Sequence, residues 1–334
     1  MSVRLGFLGT GWIGRSRLEA VAASGCAEIA AIVDPDPAGA AAAAALAPKA
    51  VVLPSLDALL AERLDGAVIA TPSALHASQT TAALARGYAV FCQKPLGRNL
   101  EETAGAVDAA RCANRLLGVD LSYREVEAAR RVQELVHDGV LGDVFAADLT
   151  FHNAYGPDKP WFYDPSLSGG GCVIDLGIHL VDLALWTLDF PAVRGVTARR
   201  FAGGVVMESQ ADGVEDYAVA TLDLETGAAV RLACSWNLSA GCDAVIGAEF
   251  FGTRGSAALR NVEGSFYDFT AFHARGTGRT TLVEPPDDWG GRALVKWCRR
   301  LARDPSYDAE ADRLVDIAAV IDAIYGRDAP VGAT

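Results

Sequence analysis

The sequence is short of several things, and each shortage excludes a class of protein. Basic residues are outnumbered: 29 Lys and Arg stand against 42 Asp and Glu, a net charge of −13. A nucleic acid or an anionic membrane surface calls for a basic footprint, so neither is expected as a partner. Cysteines are scattered at 26, 92, 112, 172, 234, 242 and 298, an odd number with no C-x-x-C pair. That reads as reduced thiols in a cytoplasmic protein, without a disulfide framework. There are only five histidines, and no ligand cluster with metal-binding spacing, so no metal is expected. No apolar run of about 20 residues is there to span a bilayer. Glycines break the apolar start, which is needed as a strand, so it is not read as a signal peptide. No internal repeat is visible.

What is present is a large apolar fraction, 51% of 334 residues, enough for about two domains. The opening carries the strongest pattern. Val3–Leu8 reads as a buried strand, Gly9-Thr10-Gly11-Trp12-Ile13-Gly14 follows, and a helix runs on to about Ala23. This is G-x-G-x-x-G between a strand and a helix, the context in which it binds a dinucleotide. The first glycine allows the tight turn, the second lets backbone approach a pyrophosphate, and the third lets helix and strand close up. The second strand, Glu28–Val33, ends at Asp34, twenty residues past Gly14. A carboxylate there can accept both ribose hydroxyls of NAD, and it would repel the 2′-phosphate of NADP. The alternative is an ordinary turn Asp in Asp34-Pro35-Asp36-Pro37.

Strand and helix patterns alternate up to about residue 120, with strand-like runs at Val51–Leu53, Ala67–Ala70, Tyr88–Cys92 and Leu116–Val119. This predicts right-handed βαβ units and a parallel sheet. Ligands of such sheets bind at the carboxyl ends of the strands. Thr71-Pro72-Ser73 and Gln93-Lys94-Pro95 stand at two of those ends. From 121 to 334 the texture changes. A helix over Glu125–His137 and an aromatic loop with Trp161-Phe162-Tyr163 lead to Gly169-Gly170-Gly171 and a helix from about Ile174 to Leu188. Strands dominate from Ala192 to Val283, suggesting an antiparallel sheet, and two helices close the chain.

Three residues carry the candidate chemistry. Lys94, fixed before a proline at a strand end, can hydrogen-bond a substrate oxygen and stabilise charge developing on it. Asp175, His179 and Asp182 are spaced i, i+4, i+7, one helical face. A histidine there can take the proton of an alcohol, and Asp175 can orient it or bind a neighbouring hydroxyl. The competing readings are a surface lysine and a buried histidine satisfied by its carboxylate. The triple glycine upstream is expected to let backbone approach a ligand. His152, Tyr123 and Trp161 are candidate substrate contacts, and His76 is placed near the cofactor.

Together these motifs resemble one family, the Gfo/Idh/MocA oxidoreductases. The resemblance rests on Gly9–Gly14, on Thr71-Pro72-Ser73-Ala74-Leu75-His76, on Gln93-Lys94-Pro95-Leu96, and on Gly169–Gly171 with Asp175-Leu176-Gly177-Ile178-His179. It covers essentially the whole chain. It implies an α/β Rossmann domain (1–120) followed by an α+β domain (121–334) with a large open, mostly antiparallel sheet. One face of that sheet would join copies into a homodimer or homotetramer, and the last helix would pack back on the first domain. It implies NAD(P)-dependent oxidation or reduction of a sugar, glycoside, cyclitol or related polyol. The family's Glu-Lys-Pro lysine corresponds to Lys94, and its Asp-x-x-x-His pair to Asp175 and His179. The cofactor residues implied are Gly9, Thr10, Gly11, Trp12, Ile13, Gly14, Asp34, Thr71, Pro72, Ser73, His76, Gln93 and Lys94. Two departures stand out. Gln93 replaces the family's Glu, and Leu121 and Ser122 stand where inositol dehydrogenases carry arginines, leaving Tyr123 and Arg124 as contacts. Two other readings remain: a cofactor-binding sensor without turnover, and an enzyme that recycles a tightly held NAD through a transient ketosugar.

Overall fold

The computed structural model describes residues 3–209 and 213–327. The chain divides into two compact units. One comprises the chain through Ser122 together with Gly290–Val315, the other Tyr123–Trp289 with the chain from Asp316.

In the first unit strands alternate with helices: β1 (Arg4–Leu8), α1 (Trp12–Ser24), β2 (Glu28–Val33), α2 (Pro37–Leu46), β3 (Val51–Val52), α3 (Leu56–Leu60), β4 (Gly66–Ile69), α4 (Ser73–Ala85), β5 (Ala89–Cys92), α5 (Leu100–Ala113) and β6 (Leu117–Val119). The sheet order is β3-β2-β1-β4-β5-β6, and every pairing is parallel. The order reverses beside β1, so the carboxyl ends of β1 and β4 border the crevice where such sheets bind ligands. Continuous apolar strands such as Gly66-Ala67-Val68-Ile69 are buried on both faces, as parallel strands covered by helices must be.

The second unit continues with α6 (Glu127–His137), β7 (Val144–Asn153), α7 (Pro165–Ser168), α8 (Ile178–Thr187), β8 (Val193–Ala202), β9 (Val205–Val206), β10 (Tyr217–Leu224), β11 (Ala229–Ser235), β12 (Ala244–Gly252), β13 (Gly255–Asn261), β14 (Phe269–Arg275) and β15 (Gly278–Val283). These strands form one nine-stranded sheet, β15-β14-β13-β12-β7-β11-β10-β8-β9. Only β7 and β11 pair in parallel; the rest is antiparallel, as expected. In β7, Ala147, Leu149 and Phe151 are buried while Asp148, Thr150 and His152 are half-exposed. One face therefore carries the core and the other stays open.

After β15 come α9 (Arg292–Leu301) and α10 (Arg313–Tyr325). No motif announces that Gly290–Val315 returns to the first unit, but packing explains it. Leu294, Trp297, Cys298 and Leu301 join the core of Leu5, Phe7 and Phe91. A Cβ on Gly66 would stand 2.8 Å from Trp297, and one on Gly118 2.6 Å from it, so the two glycines make room for the indole.

Three features differ from expectation. Strand β14 was not anticipated, although Phe269 and Ala271 alternate inward. The helix expected from Ile174 opens with a π turn, Val173–Gly177, before α8. The third concerns the expected absence of a membrane-length apolar run. The stretch Pro165–Thr187 is in fact long and apolar enough, but 89% of its most apolar window is buried inside the protein, which makes it core.

Candidate active site

The first unit offers a phosphate cradle. Gly9 has φ +86°, and a Cβ on it would lie 2.6 Å from Ala70 O, so the turn admits only glycine. A Cβ on Gly14 would meet Gly9 O at 2.2 Å; one on Gly11 would meet nothing within 4 Å. The turn is thus closed toward the protein and open at Gly11. Side chains of Asp36, Ser55 and Asn99 cap α2, α3 and α5, but none caps α1. Its first-turn N–H groups and positive dipole end are left for an anion. These features fit the pyrophosphate of a dinucleotide.

Asp34 follows β2. Its Oδ2 accepts from Thr10 N (2.5 Å) and Thr10 Oγ1 (2.8 Å), and its Oδ1 accepts from Asp36 N (2.8 Å). Asp34 is therefore also the turn former of the plainer reading, and Thr10, buried, orients Asp34. Trp12 is exposed and Ile13 half-buried at the cradle's rim.

Lys94 stands just beyond β5, in a cis Lys94–Pro95 pair, and both neighbours are tied down. On one side, Pro95 O lies 2.7 Å from His76 Nδ1, while His76 Nε2 lies 2.6 Å from Thr71 O. His76 is buried, and burial pulls its pKa below the ordinary value against the pull of the two carbonyls. Expected near the cofactor, it sits between the carbonyls of the β4 and β5 loops, and its neutral ring donates to one of the two. Thr71 Oγ1 donates to Gln79 (2.6 Å), Pro72 precedes α4, and Ser73 is buried in the first turn of α4. On the other side of Lys94, Gln93 Nε2 donates to Asp120 Oδ2 (2.5 Å), which also receives Arg17 Nε (2.6 Å).

In the second unit the triple glycine does not do what the sequence suggested. A Cβ on Gly170 would fall 2.0 Å from the Tyr325 hydroxyl, and one on Gly171 2.0 Å from Glu215 O. The glycines give way to protein rather than to ligand. Buried Glu215 accepts from Gly171 N (3.0 Å), Val173 N (2.9 Å) and Tyr325 Oη (2.7 Å), and Ile174 N donates to Tyr325 Oη (3.2 Å). Burial raises the pKa of Glu215 and of Tyr325. This clamp fixes the start of the helical segment that carries Asp175 and His179.

The π turn changes the angular spacing, so a wheel drawn for a regular helix fails here. Asp175 Oδ2 accepts the indole N–H of buried Trp236 at 3.1 Å. His179 packs edge-on to Tyr123 (centroids 4.9 Å) and near Phe151 (6.3 Å). Burial above all pushes the Tyr123 phenol up, with the Tyr267 and Asp175 charges adding to it. Tyr123 is itself buried among Phe151, Phe269 and Trp289. Asp182 does not join them: it is bound by Arg124 through Nη2 (2.6 Å) and Nε (2.9 Å). His152 is not brought to them either. Side chains alternate along β7, and Phe151 faces His179, so His152 points to the open face. There it meets Ser235 Oγ (2.8 Å) and stacks on Tyr217 (5.8 Å). Trp161 stacks on Phe162, whose ring adjoins Trp236, the donor to Asp175. Among the described residues no group of three or more His, Cys, Asp or Glu could hold a metal.

Sequence reasoning missed Trp236, Glu215, Tyr325, Asp120 and Arg17. Each acts across a long sequence separation, and no local spacing marks it.

Residues 3–121 match the family model described as oxidoreductase family, NAD-binding Rossmann fold, and residues 129–258 match the GFO/IDH/MocA C-terminal domain. The chain belongs to the Gfo/Idh/MocA oxidoreductase family. Its first unit is thus an NAD(P)-binding Rossmann domain. Among relatives in this family, a protein of Amycolatopsis mediterranei (strain S699), provisionally named as a UDP-kanosamine synthase oxidoreductase subunit, is 34% identical over 78% of this chain and 75% of its own length. The D-glucoside 3-dehydrogenase of Escherichia coli (strain K12) is 29% identical over 60% of each chain. The match thus spans less than two thirds of that relative. A solved levoglucosan dehydrogenase, in complex with NADH and levoglucosan, has a TM-score of 0.82 at 20% identity, covering 98% of this chain and 97% of that one. At that identity the likeness speaks for the fold alone.

Proposed function

We propose that the protein is an NAD-dependent dehydrogenase or reductase acting on a secondary alcohol or ketone of a sugar, glycoside or cyclitol. One observation carries the reading: a lysine held from both sides at the carboxyl end of β5, in a unit whose first helix leaves its N-terminus open. The relative named for D-glucosides supports the substrate class. Gly9, Gly11 and Gly14 with the first turn of α1 would hold the pyrophosphate, and Asp34 the adenosine ribose. Asp34 and Asp36 place negative charge where NADP would bring its 2′-phosphate, which favours NAD. Bound there, the nicotinamide supplies or takes the hydride.

The chain's own residues handle the proton. Lys94 hydrogen-bonds the reacting oxygen and stabilises charge growing on it. His179 takes the hydroxyl proton during oxidation and returns it during reduction. Asp175, oriented by Trp236, fixes the imidazole or binds an adjacent hydroxyl. Tyr123 and Trp161 wall the sugar. The open face of the nine-stranded sheet, bearing Tyr217, Val219, His152 and Val245, joins copies into a homodimer or homotetramer, and the enzyme works in the cytoplasm.

The test is NAD reduction on a panel of glucosides, anhydrosugars and cyclitols, with wild type beside Lys94→Ala and His179→Ala. Turnover should fall about 10²–10⁴-fold in His179→Ala. Equal rates in wild type and both variants would refute the assignment. Tight NADH binding with no turnover on any compound would move the protein to the sensor or internal-recycling reading.

A further inference from the structure

The side chain beside Lys94 is the feature that the resemblance leaves unexplained. It expects a carboxylate at position 93, and this chain has Gln93. The carboxylate is nonetheless there, one strand over. Val119 pairs with Cys92, and Asp120 N donates to Cys92 O (2.9 Å), so Gln93 and Asp120 stand side by side at the carboxyl ends of β5 and β6. Both side chains are buried, and Gln93 Nε2 reaches Asp120 Oδ2 at 2.5 Å. Arg17, from α1, brings its Nε to the same oxygen at 2.6 Å; the side chains of Arg17 and Asp120 are 7% and 0% exposed.

We propose that Asp120 is a positioning residue for Lys94. Held by Arg17, it places a buried carboxylate at this strand end, and it dictates an amide at 93. The argument is one of charge and donors. A buried carboxylate is tolerable only when paired and hydrogen-bonded. Asp120 has one guanidinium and takes its second donor from the Gln93 amide. A Glu at 93 would set two buried carboxylates on one guanidinium, and one of them would have to hold a proton. The identity of residue 93 therefore follows from residue 120. The Gln93 backbone is tied as well, its N–H donating to Ile69 O (2.8 Å). With Pro95 O packed 2.7 Å from His76 Nδ1, the segment carrying Lys94 is held at both neighbours, and Asp120 is the anchor on the amino side.

The proposal rests on the reading of Lys94 as the substrate-binding lysine, so the experiment separates the two. The variants are Asp120→Asn, Gln93→Glu, the exchange Gln93→Glu/Asp120→Asn, and Lys94→Arg and Lys94→Ala as references. The first readout needs no substrate. The chain has four lysines, at 49, 94, 159 and 296. Reductive methylation with ¹³C-formaldehyde gives each a resolved NMR signal, and Lys94→Arg identifies that of Lys94. Its shift should move in both single variants and return in the exchange, which restores one carboxylate, one amide and the Arg17 counter-ion. The second readout is turnover on methyl glucoside, levoglucosan and myo-inositol. For a compound that is oxidised, kcat should fall at least tenfold in Asp120→Asn with KM within about threefold, and the exchange should recover most of it. Gln93→Glu should be most active at low pH, where the new carboxyl keeps its proton and donates as the amide did, and should lose activity as pH rises. An unmoved Lys94 signal in Asp120→Asn, or an exchange no better than the worse single variant, overturns the proposal. A Lys94→Ala variant as active as wild type overturns the reading of Lys94 instead. Should Asp120→Asn fail to fold, the exchange keeps Arg17 paired and decides the matter.

Discussion

Replacing Tyr325 with Phe deletes one oxygen and leaves the ring in place. That oxygen donates to Glu215 at 2.7 Å and accepts from Ile174 N at 3.2 Å. Losing the bond to a buried carboxyl costs about 1–3 kcal/mol, and stranding a buried N–H costs about as much again. Partial relaxation makes the sum less than additive, so about 2–4 kcal/mol is expected. The cost should be local, because both partners sit in the turn before Asp175. Amide hydrogen exchange reads such local opening directly. Protection of Gly171, Val173 and Ile174 should fall roughly 30- to 700-fold, at a factor of ten per 1.4 kcal/mol. Amides in the middle of β12, around Phe250, should be unchanged. Gly170→Ala should damage the same turn more, and Tyr325→Phe should not rescue it. A Cβ there would still stand 2.4 Å from Tyr325 Cζ, and the backbone has φ +156°. Protection of Ile174 within threefold of wild type in Tyr325→Phe would refute the idea that this hydroxyl latches the turn.

Other expectations follow from single side chains. Asp34→Asn keeps an acceptor for Thr10 but removes the charge; the preference for NADH over NADPH in fluorescence titrations should shrink at least tenfold, about 1.4 kcal/mol, and an unchanged preference would exclude Asp34 from cofactor selection. Glu215 holds its proton more tightly in the folded than in the unfolded state, so its contribution to stability is full below its unfolded pKa and is lost as pH rises through the higher folded value. Glu215→Gln should therefore melt progressively higher relative to wild type as pH is raised from 4 to 8, and a constant difference across that range would contradict the sign. Cys26 is drawn down to about 6, chiefly by the Cys298 thiol with burial opposing. At pH 7 iodoacetamide should alkylate it ahead of exposed Cys112, and its rate should fall steeply below pH 6; mass-spectrometric site mapping finding Cys112 labelled first would rule this out.

The first unit was legible because its signals are local. A glycine turn, the acidic residue after the next strand and the residues after each strand lie within a few positions of one another, and the sheet follows from alternation. The large sheet was legible too, through period-two patterns such as Tyr217–Leu224. What stayed hidden is what the chain assembles across distance. Gln93 looked like a departure until Asp120 and Arg17 were beside it. The triple glycine was read as a ligand approach, whereas Tyr325 and Glu215 occupy that space. The Asp175–His179–Asp182 spacing promised one face, but a π turn intervenes and Arg124 claims Asp182. His152 sits one residue past Phe151, and the strict alternation of a strand turns that single step into the opposite side of a sheet.

The Tyr325 latch also sets a schedule for synthesis. Ile174 and Tyr325 are 151 residues apart in the chain. At about 5–20 residues per second, the ribosome needs roughly 8–30 s between them. Throughout that interval the turn before Asp175 has its glycines, and after residue 215 its glutamate, but nothing to close over them. The first unit waits almost as long, because Leu294, Trp297, Cys298 and Leu301 complete its core. A fragment ending before residue 325 would carry every motif residue and still lack the part that holds them in register.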